Sequence, residues 1–441
     1  MGVLTFKGGV HPYEGKELSA QKPIEKLDPG PELVFLMSQH IGAPAKPMVA
    51  VGDRVLRGQM IGEAGGFVSA PVYASVSGTV KEIGTRKTAT GAPAAAVIIE
   101  NDGKYESVTF EPADPEKLSR DQILERIRKA GVVGMGGAGF PTAVKLAPKD
   151  PSVIDHILVN ASECEPYLTS DYRCLMEEPE KVVAGLQVIL RLFGASCKGV
   201  ICIEDNKPDA IKVMKEAVSG KERIEVAVTK TKYPEGAERS LIKALTGREV
   251  NSRMLPADAG CVVDNVQTVI AVYEAVVEGK PLIERVFTIS GDAPKDPKNF
   301  RVPVGTPYSR IVDADGGFKE EPEKIISGGP MMGFALPDLD VPVTKTSGAL
   351  TCFIHDPIKN LISGPCIRCG KCIEVCPQKL VPCHLLDIAL HGDMQTFQDE
   401  YGMECVGCGC CSYNCPAKRP LAVNINGMRG KVLAERKKNR K

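Results

Sequence analysis

Hydrophobic and polar positions alternate along this chain in four successive rhythms. Between 47 and 83 short apolar runs (Val49-Ala50-Val51, Met60-Ile61, Phe67-Val68, Val76 and Val80) are broken by Gly52-Asp53, Pro71 and Ser77-Gly78. Strands this short, turned this often, predict a small β-barrel or flattened sandwich. A further strand at 97–101 leads to a polar connector at 105–121. The second rhythm mixes continuous apolar runs at 157–160, 199–204 and 224–228 with helical spacing at 121–130, 180–193, 208–218 and 237–246. Fully buried strands alternating with helices predict a doubly wound parallel sheet. From 285 to 351 short strands return, at 287–291, 300–304 and 325–327, with turns between them. Met331-Met332 reads there as core filler. Beyond 351 the pattern is set by cysteine. The chain is predicted to be multidomain, α/β plus α+β, with boundaries at 1–114, 115–284, 285–351 and 352–441.

Composition narrows the classes. With 441 residues, 43% hydrophobic and 25% charged, the chain has material for about three globular domains. Fifty-five basic residues against fifty-five acidic ones leave no net field to attract nucleic acid. Only 429–441 is clearly basic, and it reads as a solvated, frayed terminus. No stretch approaches the roughly 20 apolar residues of a membrane span, and the N-terminus lacks a signal-peptide pattern, so cytoplasmic residence is expected.

That expectation suits sixteen cysteines. Eight fall in two runs: Cys366, Cys369, Cys372 and Cys376-Pro377, then Cys405, Cys408, Cys411 and Cys415-Pro416. Each reads C-x2-C-x2-C-x3-C-P, the run that holds a 4Fe-4S cluster in bacterial ferredoxins; paired zinc sites and disulfides are the alternatives. In two-cluster folds the fourth Cys ligates the other cluster. One cluster then takes Cys366, Cys369, Cys372 and Cys415, and the other takes Cys405, Cys408, Cys411 and Cys376. Of the remaining cysteines, Cys410 breaks the spacing and is left out. The rest read mostly as small buried hydrophobes.

The other candidate chemistry sits at Gly134-Met135-Gly136-Gly137-Ala138-Gly139-Phe140-Pro141-Thr142, with Lys145 following. Alone it is a weak G-x-G-x-x-G match, preceded by a helix rather than a strand, and a plain glycine turn explains it as well. The strand at 157–160, however, delivers Asn160, Glu163, Glu165 and Asp171 to its carboxyl end, where α/β sheets bind ligands. With Asp264-Asn265-Val266-Gln267-Thr268, these stretches resemble the flavin and NADH site of the large NADH-binding subunit of respiratory complex I. The resemblance implies FMN contacts at Gly134, Gly136, Lys145, Asn160, Asn265 and Thr268, with Gly137, Gly139 and Glu163 completing the cradle. It implies NAD(H) contacts at Phe140, Glu165 and Glu238. Glycines let backbone N–H groups approach phosphate oxygens, Lys145 adds charge, and carboxylates accept from ribose hydroxyls. Met135 stands where that family usually has Arg, and Asp264 replaces its first Asn.

The 47–83 region resembles the barrel-sandwich hybrid of lipoyl and biotinyl domains. The tip that carries their modified lysine corresponds to 69–74, which has no Lys, so a scaffold is expected. The 285–351 region looks like a soluble-ligand-binding β-grasp domain. The order of parts, from Gly8-Gly9-Val10-His11-Pro12 and the barrel-sandwich through a Rossmann-like FMN/NADH domain and β-grasp to a helical two-cluster ferredoxin, resembles the RnfC family, the C subunits of the Rnf electron transport complex. That resemblance implies a ferredoxin:NAD+ oxidoreductase component at the cytoplasmic face of the membrane, with membrane-embedded and iron–sulfur subunits as partners and ferredoxin engaged indirectly. A flavin there converts between hydride, two electrons at once, and the single electrons of iron–sulfur clusters. A microcompartment cobalamin reductase and a flavin-less iron–sulfur adaptor are the alternatives.

Overall fold

The computed structural model describes residues 4–439. The N-terminal part is built from β1 (Glu32–Leu36), β2 (Met60–Glu63), β3 (Gly78–Lys87) and β4 (Pro93–Asn101). β1 pairs antiparallel with β4, β4 with β3, and β3 with Arg54–Val55. A second sheet sets β2 between Lys46–Pro47 and Val72–Tyr73. Leu33, Phe35, Val55, Ile61, Val72, Val97 and Ile99 fill the space between them. The hairpin β3–β4 is longer than the short strands expected, because its outer half leaves the core and continues into solvent. Residues 69–74 are buried, and the Pro71 carbonyl accepts from Lys345 of the third domain, so the tip that would carry a modified lysine is a packing surface here.

Helix α1 (Arg120–Lys129) opens with a capping box between Ser119 and Gln122, which satisfies two of its otherwise unpaired N–H groups. Then follow β5 (His156–Ala161), α2 (Ser170–Glu177), α3 (Pro179–Leu190), β6 (Lys198–Glu204), α4 (Pro208–Ala217), β7 (Ile224–Thr229), α5 (Glu238–Thr246), β8 (Cys261–Asn265) and α6 (Val266–Tyr273). The four strands are all parallel, in the order β7-β6-β5-β8. Side chains alternate across it: Ile157, Val159, Ile201 and Val262 pack under α1, α3 and α6, while Leu158, Val200, Cys261 and Val263 pack against Leu241 and Ile242 of α5. Helices on both faces match the doubly wound expectation. The order reverses between β5 and β8, and that reversal opens a crevice at the strands' carboxyl ends.

The third sheet contains β9 (Glu284–Gly291), β10 (Lys298–Pro303), β11 (Lys324–Ser327) and β12 (Ala349–Phe353), with α7 (Tyr308–Ala314) against it. Its order is Glu25–Lys26, β10, β9, β12, β11, Phe334–Ala335. An N-terminal segment thus supplies the edge strand of a sheet formed nearly three hundred residues later. Of the two methionines in the turn after Gly328-Gly329-Pro330, Met331 is half-buried and packs against Val10, Tyr233, Val375, Cys408 and Cys410, whereas Met332 is exposed and is not core filler.

The C-terminal part is helical, with short turns Lys371–Glu374 and Cys410–Tyr413 inside the cysteine runs and α8 (Pro382–His391), α9 (Met394–Asp399) and α10 (Leu421–Lys438) around them. The basic tail is helical to Lys438 rather than frayed, because Leu421, Ile425, Met428 and Val432 bury one face. Arg440 and Lys441 lie outside the described residues.

Candidate functional site

The crevice between β5 and β8 gathers most of the residues singled out in the sequence. Asn160 and Asn265 end adjacent parallel strands and are register partners. The Asn160 amide donates to the Gly236 carbonyl at 2.8 Å. Asn265 caps α6, accepting the Gln267 N–H at 2.9 Å. The glycine loop comes before the first strand of the sheet, so it is not the strand-to-helix turn of a dinucleotide fingerprint. It reaches the crevice sideways, tied at its neck where the Gly134 N–H meets the Phe140 carbonyl at 2.9 Å. The Met135 N–H donates to Thr268 Oγ1 at 2.9 Å. A β-carbon on Gly136 would stand 2.9 Å from that of Asn265. Gly139 has φ +71°, and a side chain there would strike Thr346 and the His40 backbone. Gly137, at the exposed crest, faces open space.

Charges surround this loop. Lys145 Nζ donates to the Val263 carbonyl (2.6 Å) and to Asp264 Oδ1 (3.1 Å). Asp264, the residue that departs from the family pattern, is therefore the counter-ion of Lys145. Its other oxygen is buried with no partner among the described residues, and burial pushes its carboxyl up against the pull of Lys145. Glu163 accepts the Asp171 N–H at 2.7 Å. Burial raises the Glu163 carboxyl, with Lys16 opposing and Asp171 adding to the rise. Asp171 in turn accepts from Asn265 (2.6 Å) and Gln267 (3.0 Å).

The residues expected to meet NAD(H) are arranged differently. Glu165 is not free: its Oε1 accepts the Met331 and Met332 N–H groups at 2.7 and 3.1 Å, so a turn of the third domain covers it. Only glycine fits at 329, where a β-carbon would come within 2.2 Å of Glu165. Burial raises the Glu165 carboxyl while these two N–H groups lower it. Phe140 is half-buried at the neck of the glycine loop, and Glu238 stands exposed at the start of α5.

In the helical part, Cys376, Cys405, Cys408, Cys410 and Cys411 line one cavity with Leu380, Leu385 and Ile425. Cys376 lies in this cavity beside the second run, and its sulfur accepts the Leu380 N–H at 3.4 Å. For the first run, the Gly364 N–H donates to the Ala417 carbonyl at 3.0 Å, which brings the chain before Cys366 to the chain after Cys415. Cys366 and Cys369 are exposed, while Cys372 is buried. Among the described residues no His, Cys, Asp or Glu group is drawn in tightly enough to hold a single metal ion. Cys410 is fully buried and points at the Tyr233 carbonyl, 3.9 Å away. The cysteine module docks on the crevice domain there: Tyr233 Oη donates to the Cys408 carbonyl at 2.7 Å and Arg239 pairs with Glu404 at 2.9 Å.

Three family models match this chain: "RnfC Barrel sandwich hybrid domain" at 4–104, "Nuo51 FMN-binding domain" at 127–274 and "SLBB domain" at 286–335. The C subunit of the proton-translocating ferredoxin:NAD(+) oxidoreductase complex of Clostridium ljungdahlii is 48% identical over 404 residues, 91% of this chain and 88% of that protein. The C subunit of the Na(+)-translocating complex of Acetobacterium woodii is 43% identical over 440 residues, 98% of each chain. The chain belongs to the RnfC family of ion-translocating oxidoreductase subunits. Some RnfC family members are longer: the Pseudomonas aeruginosa protein is 41% identical over 88% of this chain but only 50% of its own length. The relatives carry the Rnf reading and not the cobalamin-reductase alternative.

Sequence reasoning missed two groups beside the crevice. Lys16 lies within hydrogen-bonding reach of the Glu163–Leu168 loop, and Glu235 is buried with both carboxylate oxygens unpaired among the described residues. Nothing in periodicity or motif marks a lysine just after a glycine in an N-terminal segment. Glu235 stands within the Pro234-Glu235-Gly236-Ala237-Glu238 stretch that supplied Glu238, and only burial separates their roles.

Proposed function

We propose that this chain is the NAD(H)-reacting peripheral subunit of a ferredoxin:NAD+ oxidoreductase complex coupled to ion transport, holding FMN in the crevice and two 4Fe-4S clusters in the helical module. The observation that carries the reading is the convergence of the glycine loop, Asn160, Asn265 and Thr268 on the strand-order reversal of a domain that matches an FMN-binding family. The crevice chemistry fits an anionic flavin nucleotide. Gly137 leaves its backbone open to a phosphate, and Lys145 supplies the nearby positive charge. Asn160 and Asn265 offer amide groups at the ends of adjacent strands. Five cysteines line the cavity, and the four at ferredoxin spacing, Cys376, Cys405, Cys408 and Cys411, supply the soft thiolates that suit a 4Fe-4S cluster.

When bound, the flavin and clusters supply the conversion between a two-electron hydride and single electrons. The chain's own residues orient and exclude. Glu165, through Oε2, the oxygen that the Met331–Met332 turn leaves open, and Glu238 accept from the hydroxyls of NAD(H), Phe140 offers an apolar face at the loop neck, and the turn holds Glu165 Oε1 in place. Tyr233 and Arg239 clamp the cysteine module against the crevice domain, so the second cysteine run stays at a fixed place relative to the crevice. No helix among the described residues is long and apolar enough to cross a membrane. In this reading ion transport belongs to partner subunits, both membrane-embedded and iron–sulfur, and the chain attaches peripherally to the cytoplasmic face.

The test is NADH oxidation with an artificial one-electron acceptor by anaerobically purified protein, after flavin absorbance and iron content have been measured. Glu165→Ala is expected to lower kcat/KM for NADH at least tenfold; unchanged kinetics would overturn the site. Protein without flavin absorbance would return the adaptor reading.

A further inference from the structure

The loop 162–169 carries Glu163 and Glu165, and two ammonium groups capture its carbonyls. Lys207 Nζ, close by in the same domain, donates to the Ser162 carbonyl at 2.7 Å. Lys16 comes from the N-terminal segment and donates to the carbonyls of Glu163 (2.7 Å), Glu165 (3.1 Å) and Leu168 (2.7 Å). An ammonium has three N–H donors and no acceptor, so Lys16 is fully matched by this one loop. The loop needs such a tie: Glu163 (φ 47°) and Tyr167 (φ 69°) both adopt left-handed backbone, which non-glycine residues hold only where the surroundings enforce it. Flanking contacts seat the same segment. The Tyr167 N–H donates to the Glu14 carbonyl at 2.7 Å, and Ser19 and Thr169 hydroxyls meet at 2.7 Å. Gly15 lets the Tyr167 ring lie so close that a β-carbon would sit 2.5 Å from it. Because the peptide is planar and trans, drawing the Glu163 carbonyl toward Lys16 turns the Cys164 N–H the other way.

We infer that Lys16 is a positioning residue of the NAD(H) site: it fixes the backbone of 163–168 so that the Glu165 side chain stands ready to receive the dinucleotide. This rests on the reading given under Proposed function. It makes the N-terminal segment part of the site, although that segment carries none of the flavin or NAD(H) residues. Lys16→Met removes all three donors and leaves three carbonyls unpaired. Lys16→Gln keeps two donors without the charge, and is the variant to use if the methionine protein fails to fold.

The experiment compares full-length parent, Lys16→Met, Lys16→Gln and Glu165→Ala. It measures KM and kcat for NADH with an artificial acceptor, flavin content, and amide hydrogen exchange across 162–169. Lys16→Met is expected to raise KM for NADH about tenfold with kcat within about threefold of parent, flavin content unchanged, and faster exchange confined to the loop; Lys16→Gln should fall between the two. A KM equal to parent in either variant overturns the role. So does a parallel loss of flavin, kcat and protection throughout the domain, which would mark Lys16 as a general structural tie. If Glu165→Ala leaves NADH kinetics unchanged, the site reading itself fails; if it impairs them while the Lys16 variants do not, only this inference fails.

Discussion

Glu235 offers a perturbation whose size can be worked from the structure. It lies between β7 and α5, fully buried, with neither carboxylate oxygen bonded among the described residues. Burial lifts its carboxyl from the ordinary 4.5 to about 8, with Glu204 adding and Lys232 opposing. The native state therefore keeps a proton that the unfolded chain has released at any pH between those two values. Stability from this group is fully present below the unfolded pKa and is lost as pH rises through the folded one. At about 1.4 kcal/mol per pH unit, the loss between pH 5 and pH 8 reaches roughly 3–4 kcal/mol as an upper bound. Glu235→Gln replaces the protonated carboxyl by a neutral group of the same shape and should remove that slope. The variant should melt near the parent temperature at pH 5 and above it at pH 8. For a unit of about 150 residues the gap at pH 8 would be on the order of 6–14 °C. Calorimetry of the anaerobic holoprotein, following the transition of the crevice domain at each pH, checks it. An unpaired buried amide costs the variant something at every pH, so the comparison is of slopes. Equal slopes for the two proteins between pH 5 and pH 8 would refute the reasoning.

Two further outcomes test the cofactor assignments separately. Cys369→Ala should lower iron from about eight to about four per chain, as loss of one of two 4Fe-4S clusters requires, and should stop onward electron transfer while leaving flavin reduction by NADH largely intact in an anaerobic stopped-flow trace. Loss of flavin reduction as well would undo the proposed division of labour. Gly137→Ala adds a methyl that meets nothing within 4 Å, so the flavin-stripped variant should melt within about 2 °C of parent, as surface changes away from special features do, yet retain less than about a tenth of the parent's flavin after gel filtration. Full retention would remove the loop crest from the flavin cradle.

The crevice domain was legible because fully buried parallel strands leave continuous apolar runs such as 157–160 and 199–204, and helices between them keep their own period. Register could not be read the same way, yet the strand ends at Asn160 and Asn265 fell where the motif resemblance required. The cysteine runs were legible by their spacing, and Cys376 shares a cavity with Cys405, Cys408, Cys410 and Cys411 of the second stretch. What was illegible depends on contacts between distant, non-periodic segments. Glu25 and Lys26 are exposed and form a strand of two residues, too short to show alternation. Met332 looked like core because of its side chain, whereas the structure exposes it and uses the backbone N–H groups of Met331 and Met332. Lys16 resembled any surface lysine, since its three acceptors are carbonyls that no sequence pattern identifies.

The N-terminal segment also bears on how the chain can be made. Leu4 bridges to Thr229, Gly9 donates to the Val375 carbonyl, Lys16 holds the 163–168 loop, and Glu25–Lys26 joins β10. This segment thus finds partners that are synthesised much later than itself. At roughly 5–20 residues per second, Gly9 waits between about 20 and 70 s for Val375 to appear. During that interval Lys16, Leu4 and Glu25–Lys26 meet their partners in turn as the chain lengthens, and the Gly9 contact is the last of these to form. Closure of this belt is then a late, post-synthetic event, and the partners it joins, from the crevice loop to the cysteine module, reach their final arrangement only when the whole chain is present.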